Sequence, residues 1–164
     1  MPDLSNPDDE RWMREAIREA EIAYEEGEVP VGAVIVREGR LVARGRNQIE
    51  RLQDATAHAE ILALGAASAA FESWRLLGAT LYVTLEPCPM CAGAILLARV
   101  ERVVFGAYDP EIGAAGSMID LFSERKMRHT TVVTGGQDEP KCRELIKSFF
   151  VARRAGRIPA REPN

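Results

Sequence analysis

Apolar and polar positions recur along this chain with two different periods, and the changes between them mark out helices and strands. Met13, Ala16, Ile17, Ala20 and Tyr24 follow one another at three- and four-residue spacing, which predicts a helix. Asn6-Pro7-Asp8-Asp9-Glu10 reads as its start, with Asn6 as cap, Pro7 in the first turn and acids at the positive end of the dipole. Gly27 supplies its stop. Residues 31–36 are apolar and mostly β-branched, Glu38-Gly39 makes a turn, and 41–43 is again largely apolar, so a hairpin is expected. A second helix is predicted over 58–70, capped by Asp54 or Thr56. Strands at 80–84, 102–105 and 131–133 frame a helix over 89–98 and a Gly- and Ala-rich loop over 109–116. A closing amphipathic helix over 141–154 puts Cys142, Leu145, Ile146 and Phe149 on one side. Strands alternating with helices predict a layered α/β domain.

At 164 residues the chain suits one compact domain, 1–164, with 1–6 and 158–164 expected to fray. No apolar run approaches the ~20 residues a bilayer requires; the stretch 92–98 stops at Arg99. The first residues lack the basic flank and apolar segment of a secretion signal, so a cytoplasmic protein with no membrane partner is expected. The net charge of -4 argues against a general polyanion binder. That charge is uneven: residues 1–30 carry ten acidic and three basic side chains, whereas 141–164 carry seven basic and two acidic. The basic end could meet phosphate locally, or be a solvated helix face.

Two short motifs change the picture most: His58-Ala59-Glu60 and Pro87-Cys88-Pro89-Met90-Cys91. One imidazole and two thiolates suit zinc, whose catalytic sites use three protein ligands and keep a fourth position for water. Cys88 and Cys91 lie where a helix begins, and the exposed N–H groups there favour thiolate. Two thiolates also cancel the ion's charge, so its water is less acidified than in an all-histidine site and a partner base gains value. Glu60 fits that role. Residues two apart on a helix point roughly 200° apart, so His58 and Glu60 can share a pocket only beyond the helix N-terminus. Two other readings of the cysteines stand beside this one: a redox pair, or a structural zinc site closed by Cys142 or His129. Cys142 reads more naturally as a small buried apolar residue.

The His-x-Glu and Pro-Cys-x-x-Cys pair is the known signature of zinc nucleobase deaminases. Beyond it, Trp12-Met13-Arg14, the stretches 28–34, 56–60, 80–94, 102–107 and 113–117, and Phe149-Phe150 ahead of Arg153-Arg154 resemble the bacterial tRNA-specific adenosine deaminases of the cytidine/deoxycytidylate deaminase superfamily. The resemblance covers roughly residues 10–155. It implies a cytidine-deaminase-like three-layer α/β/α fold with a central mixed sheet of about five strands, assembled as a homodimer. It implies hydrolytic deamination of adenosine to inosine at the wobble position of a tRNA anticodon, by a zinc-bound hydroxide. His58, Cys88 and Cys91 would bind Zn2+, Glu60 would shuttle protons, Asn47 would contact the base, and the Asp109 region would contact the anticodon stem-loop. Two positions depart from many relatives: Ala55 replaces a proline and Tyr108 an arginine. A guanine- or cytosine-type deaminase of small molecules, or a non-catalytic zinc module, are the alternatives.

Overall fold

The computed structural model describes residues 6–159. Its elements are α1 (Asp9–Glu25), β1 (Gly32–Arg37), β2 (Arg40–Arg46), α2 (Ile49–Leu52), α3 (Ala59–Phe71), β3 (Ala79–Leu85), α4 (Pro89–Leu97), β4 (Arg102–Ala107), β5 (Val132–Gly135) and α5 (Glu139–Arg154). The five strands form one sheet in the order β2-β1-β3-β4-β5. β1 runs antiparallel to β2 and β3, while β3, β4 and β5 are mutually parallel neighbours. The sheet is mixed, as the resemblance implied.

Alternation of side chains decides the layers. Ala33 and Ile35, Leu81 and Val83, and Val103 and Phe105 all face one side, where α3 and α4 pack through Ala63, Leu64, Ala67, Ala92 and Ile95. Val34 and Val36, Tyr82 and Val104 face the other, against Trp12, Met13, Ala16 and Ile17 of α1 and Cys142 of α5. The result is three layers, α/β/α. Two-faced burial explains why the strand segments read as continuous apolar runs.

The hairpin turn sits where the sequence places it, with Glu38 and Gly39 both at positive φ, as a tight two-residue hairpin requires. Gly27 likewise ends α1: at φ +78° it lets Glu28 N donate to Ala23 O across the helix end. The caps differ from expectation. Asp8, not Asn6, occupies the N-cap of α1; Asn6 instead accepts from Asp8 N and Asp9 N in the preceding turn. Asp54 and Thr56 do not cap α3, because His58 itself is the N-cap, and Asp54 Oδ1 is spent on Thr56 N and Oγ1. The short α2 was not foreseen, and α5 begins two residues earlier than its apolar spacing suggests. The fraying expected over 1–5 and 160–164 lies outside the described residues.

A buried ionic staple ties α1 to the sheet. Asp9 accepts a two-pronged bond from Arg102, at 2.7 Å on each oxygen, and a third from Tyr82 Oη at 2.9 Å. Burial alone would raise Asp9, but the Arg102 and Tyr82 bonds outweigh it and hold the carboxyl below its ordinary value. Among the described residues no helix is long and apolar enough to cross a membrane.

Candidate active site

The carboxyl ends of the parallel strands β3 and β4 carry the chemistry, the usual place for a site in an α/β sheet. From β3 the chain passes through Glu86 and Pro87 to Cys88, the N-cap of α4, and Cys91 lies in that helix's first turn. His58 is the N-cap of α3 and Glu60 lies in its first turn. Both helices therefore point their N-termini, with their free N–H groups, at one spot. The angular separation of His58 and Glu60 is resolved differently from the expected pairing of both in a first turn behind Asp54 or Thr56: His58 precedes the helix and is extended, at φ -72° and ψ 152°.

His58 Nδ1 stands 3.7 Å from Cys88 Sγ and 3.5 Å from Cys91 Sγ. Zinc with ordinary bond lengths and tetrahedral angles separates a nitrogen and a sulfur ligand by about 3.6 Å. Both nitrogen–sulfur separations thus suit a tetrahedral zinc ion, and all three donor atoms lie within 4.8 Å of one another. Among the described residues, these three form the one set of His, Cys and carboxylate atoms close enough to share an ion. Cys142 is elsewhere: it is 1% exposed, packs against Gly106, and burial pushes its thiol up to about 12. His129 is bonded to Val100 O. Neither closes a fourth corner, which removes the support for a structural zinc module.

The acid-base groups are sharply differentiated. Hydrogen bonds from Cys91 and then His58 bring Cys88 down to about 4 against the opposing pull of burial. The contact with Cys88, together with burial, pushes Cys91 up. The bond to Cys88 raises His58. Glu60 is 4% exposed, and burial lifts its carboxyl to about 7, although its bond with Cys91 pulls the other way. A carboxyl poised near neutrality can both take and return a proton.

A cavity of about 630 Å³ opens above these groups. Asn47, at the end of β2, lines it and is 6% exposed; among the described residues its side-chain amide has no hydrogen-bond partner, so it is free for a ligand. Asp109 also lines the cavity, but its Oδ1 accepts from Glu111 N and Ile112 N and so shapes its own turn. Tyr108 stacks edge-on against Phe105 and is 42% exposed at the rim. The opposite wall is the α5 face of Arg143, Ile146, Lys147 and Phe150. Phe149, one residue away, is fully buried against Tyr24. Arg153 turns inward instead, its guanidinium over Phe149 and reaching Gly27 O.

Two buried carboxylates escaped the motif reading. Glu28 accepts from Glu50 N and Arg51 N, capping α2 from outside and so steadying the segment that carries Asn47 and Ile49. Glu86 gathers the loop after β4. Their signal in the sequence is slight: an acid beside a predicted strand end, facing a loop.

The chain matches the family model of the MafB19-like deaminases over residues 7–154. It is 49% identical to a tRNA-specific adenosine deaminase of Bacillus subtilis, over 94% of this chain and 96% of that protein. It is 48% identical to a tRNA-specific adenosine deaminase of Haemophilus influenzae, over 89% and 85% respectively. A solved structure from a study of A-to-I editing by tRNA:A34 deaminases at the wobble position superposes with a TM-score of 0.80 at 46% identity, covering 82% of this chain and 98% of that one. By its fold, its clustered His-Cys-Cys donors and these likenesses, the chain belongs to the MafB19-like deaminases, among the tRNA-specific adenosine deaminases.

Proposed function

We propose that this protein converts adenosine to inosine at the wobble position of a tRNA anticodon, consuming water and releasing ammonia. The observation that carries the reading is the meeting of two helix N-termini, where His58, Cys88 and Cys91 cluster and Glu60 stands buried in the first turn of α3. Those three residues would hold zinc, which supplies the Lewis acidity that makes water a nucleophile near neutral pH. Glu60 takes the proton that water gives up as it adds to the ring carbon bearing the amino group. It then delivers that proton to the adjacent ring nitrogen, takes the proton of the newly added hydroxyl and passes it to the departing amine, so that the hydroxyl becomes the carbonyl of inosine as ammonia leaves. Asn47 orients the base through its unpaired amide. The cavity's rim accepts an unstacked loop nucleotide, the form of RNA whose base edges can be read. Lys147 and Arg143, the latter also paired with Glu139, line that rim and favour phosphate, whereas Arg153 turns into the protein.

The family match over 7–154 supports reading the chain as one deaminase domain, and its likeness to bacterial tRNA-specific adenosine deaminases supports a cytoplasmic location. We further propose a homodimer, for which exposed Met90, Leu97, Met118 and Ile119 offer apolar surface; sedimentation at micromolar concentration tests it. The central experiment incubates the zinc-loaded protein with total tRNA and maps which adenosines become inosine. Conversion confined to position 34 supports the reading. Ammonia release from free guanine or cytosine, with no inosine in tRNA, would replace it with a small-molecule deaminase.

A further inference from the structure

We infer that Glu86 is a positioning residue that fastens the loop after β4 to the strand–helix junction bearing Cys88, and thereby sets how tightly RNA is held. Glu86 directly follows β3, is 2% exposed, and donates its own N–H to Ala107 O. Its carboxylate receives four hydrogen bonds. Oε1 accepts from Ala115 N and Ser117 N, each at 3.0 Å; Oε2 accepts from Asp109 N at 2.9 Å and from the Ser117 hydroxyl. A carboxylate offers about four lone-pair sites, so none remains for substrate or for proton transfer. Glu86 borders the cavity yet is chemically saturated.

The donors come from both ends of the segment 109–117, so a single side chain closes that loop on itself. The neighbouring backbone agrees: Ala114 N donates to Pro87 O at 2.8 Å, and Met118 N to Gly113 O at 2.9 Å. A side chain at Gly113 would run into Asp109 O and the Glu86 carboxyl, so the loop wraps the acid as closely as backbone can. Between β4 and β5 the chain has neither helix nor strand of its own, only one isolated bridge, Ala115 to Asp120. Tyr108 still packs on Phe105 of β4, whereas the wall from Asp109 to Ile112 takes its position relative to Cys88 largely from Glu86. Glu86→Gln keeps the size but puts an NH2 group against N–H donors and loses the charge that strengthens the remaining bonds.

This inference rests on the RNA-deaminase reading, and two measurements separate their fates. Steady-state kinetics on an anticodon stem-loop should give Glu86→Gln a KM raised about tenfold or more with kcat within a few-fold of wild type, the pattern of lost binding rather than lost chemistry. Ser117→Ala, missing one donor of four, should lie between. Amide hydrogen exchange of the zinc-loaded variants should quicken within 109–117 and stay unchanged in α1 and β3. A fall in kcat at unchanged KM, or undisturbed exchange in 109–117, overturns the proposal. Should Glu86→Gln fail to fold, Ser117→Ala decides by the same criteria. A wild-type protein that forms no inosine sinks the deaminase reading instead; the anchor is then judged by exchange, where unchanged protection refutes it.

Discussion

Gly45 is the point at which α3 presses on β2, and α3 is the helix that begins with His58 and Glu60. A Cβ added at Gly45 would stand 2.6 Å from Ala63 N and closer still to Ala59 O, where ordinary contact begins at 3.4 Å. Both obstacles are backbone, which cannot swing aside as a side chain does. Gly45→Ala must therefore move the helix off the strand by about 0.8 Å at Ala63, and more at Ala59, the residue between His58 and Glu60. Overpacking of this kind costs about 1–3 kcal/mol of stability. The larger effect falls on chemistry, because displacing a catalytic group by about 1 Å can cost on the order of 10²-fold in rate. The assay is single-turnover inosine formation on an anticodon stem-loop, with thermal unfolding and zinc stoichiometry measured in parallel. Cys88 and Cys91 sit at another helix's start, but His58 moves with α3, so zinc content should fall modestly while turnover falls much further. Wild-type turnover together with a wild-type midpoint of unfolding would refute the reasoning, since it would mean that α3 tolerates displacement or that the site does not depend on its placement.

Other outcomes follow from the same geometry. Glu60→Gln should keep zinc and fold while kcat drops about 10²–10⁴-fold, read by elemental analysis beside the deaminase assay. His58→Ala removes one of three donors and should lower the zinc content of the purified protein, measured at equal protein concentration. Asp9→Ala removes the two-pronged carboxylate from Arg102, which keeps its bond to Thr134, and should cost about 2 kcal/mol in denaturant unfolding. Asp9 is held below its ordinary value of 3.8, so the staple's contribution is complete above that pH and lost as acid brings the pH down through the lowered native value. An Asp9→Asn variant should accordingly lose less stability than wild type on acidification below about pH 4.

The strands and the grouping of His58 with Cys88 and Cys91 were readable because each rests on local chemistry: β-branched runs, a turn pair at Glu38-Gly39, and soft donors at fixed spacing. Angular arithmetic required that His58 and Glu60, if they share a pocket, do so at a helix start, and they lie there. The cap was misjudged because Asp54 and Thr56 can satisfy one another through a turn, and nothing local says which partner wins. The four residues of α2 are too few to display a period, and what holds them is Glu28, some twenty positions earlier. Glu86 is hidden for a related reason: its partners lie 23 to 31 residues away, and only the closed loop brings them to it. Arg153 looked like part of a cationic surface, yet packing on Phe149 draws it inward. Charge counted along a sequence does not reveal which side of a helix a guanidinium takes.

β2 forms one border of the sheet, and its outward backbone would be open to pairing with a second molecule. Arg40, Arg44 and Arg46 line that border, with Arg44 and Arg46 anchored by Glu15, Glu19 and Glu26. Two such borders brought together would crowd these charged pairs and strip them of water, which discourages cross-molecule ribbon formation. Association between copies is thereby steered toward helical or loop surfaces, and the protein is guarded at that margin against runaway stacking.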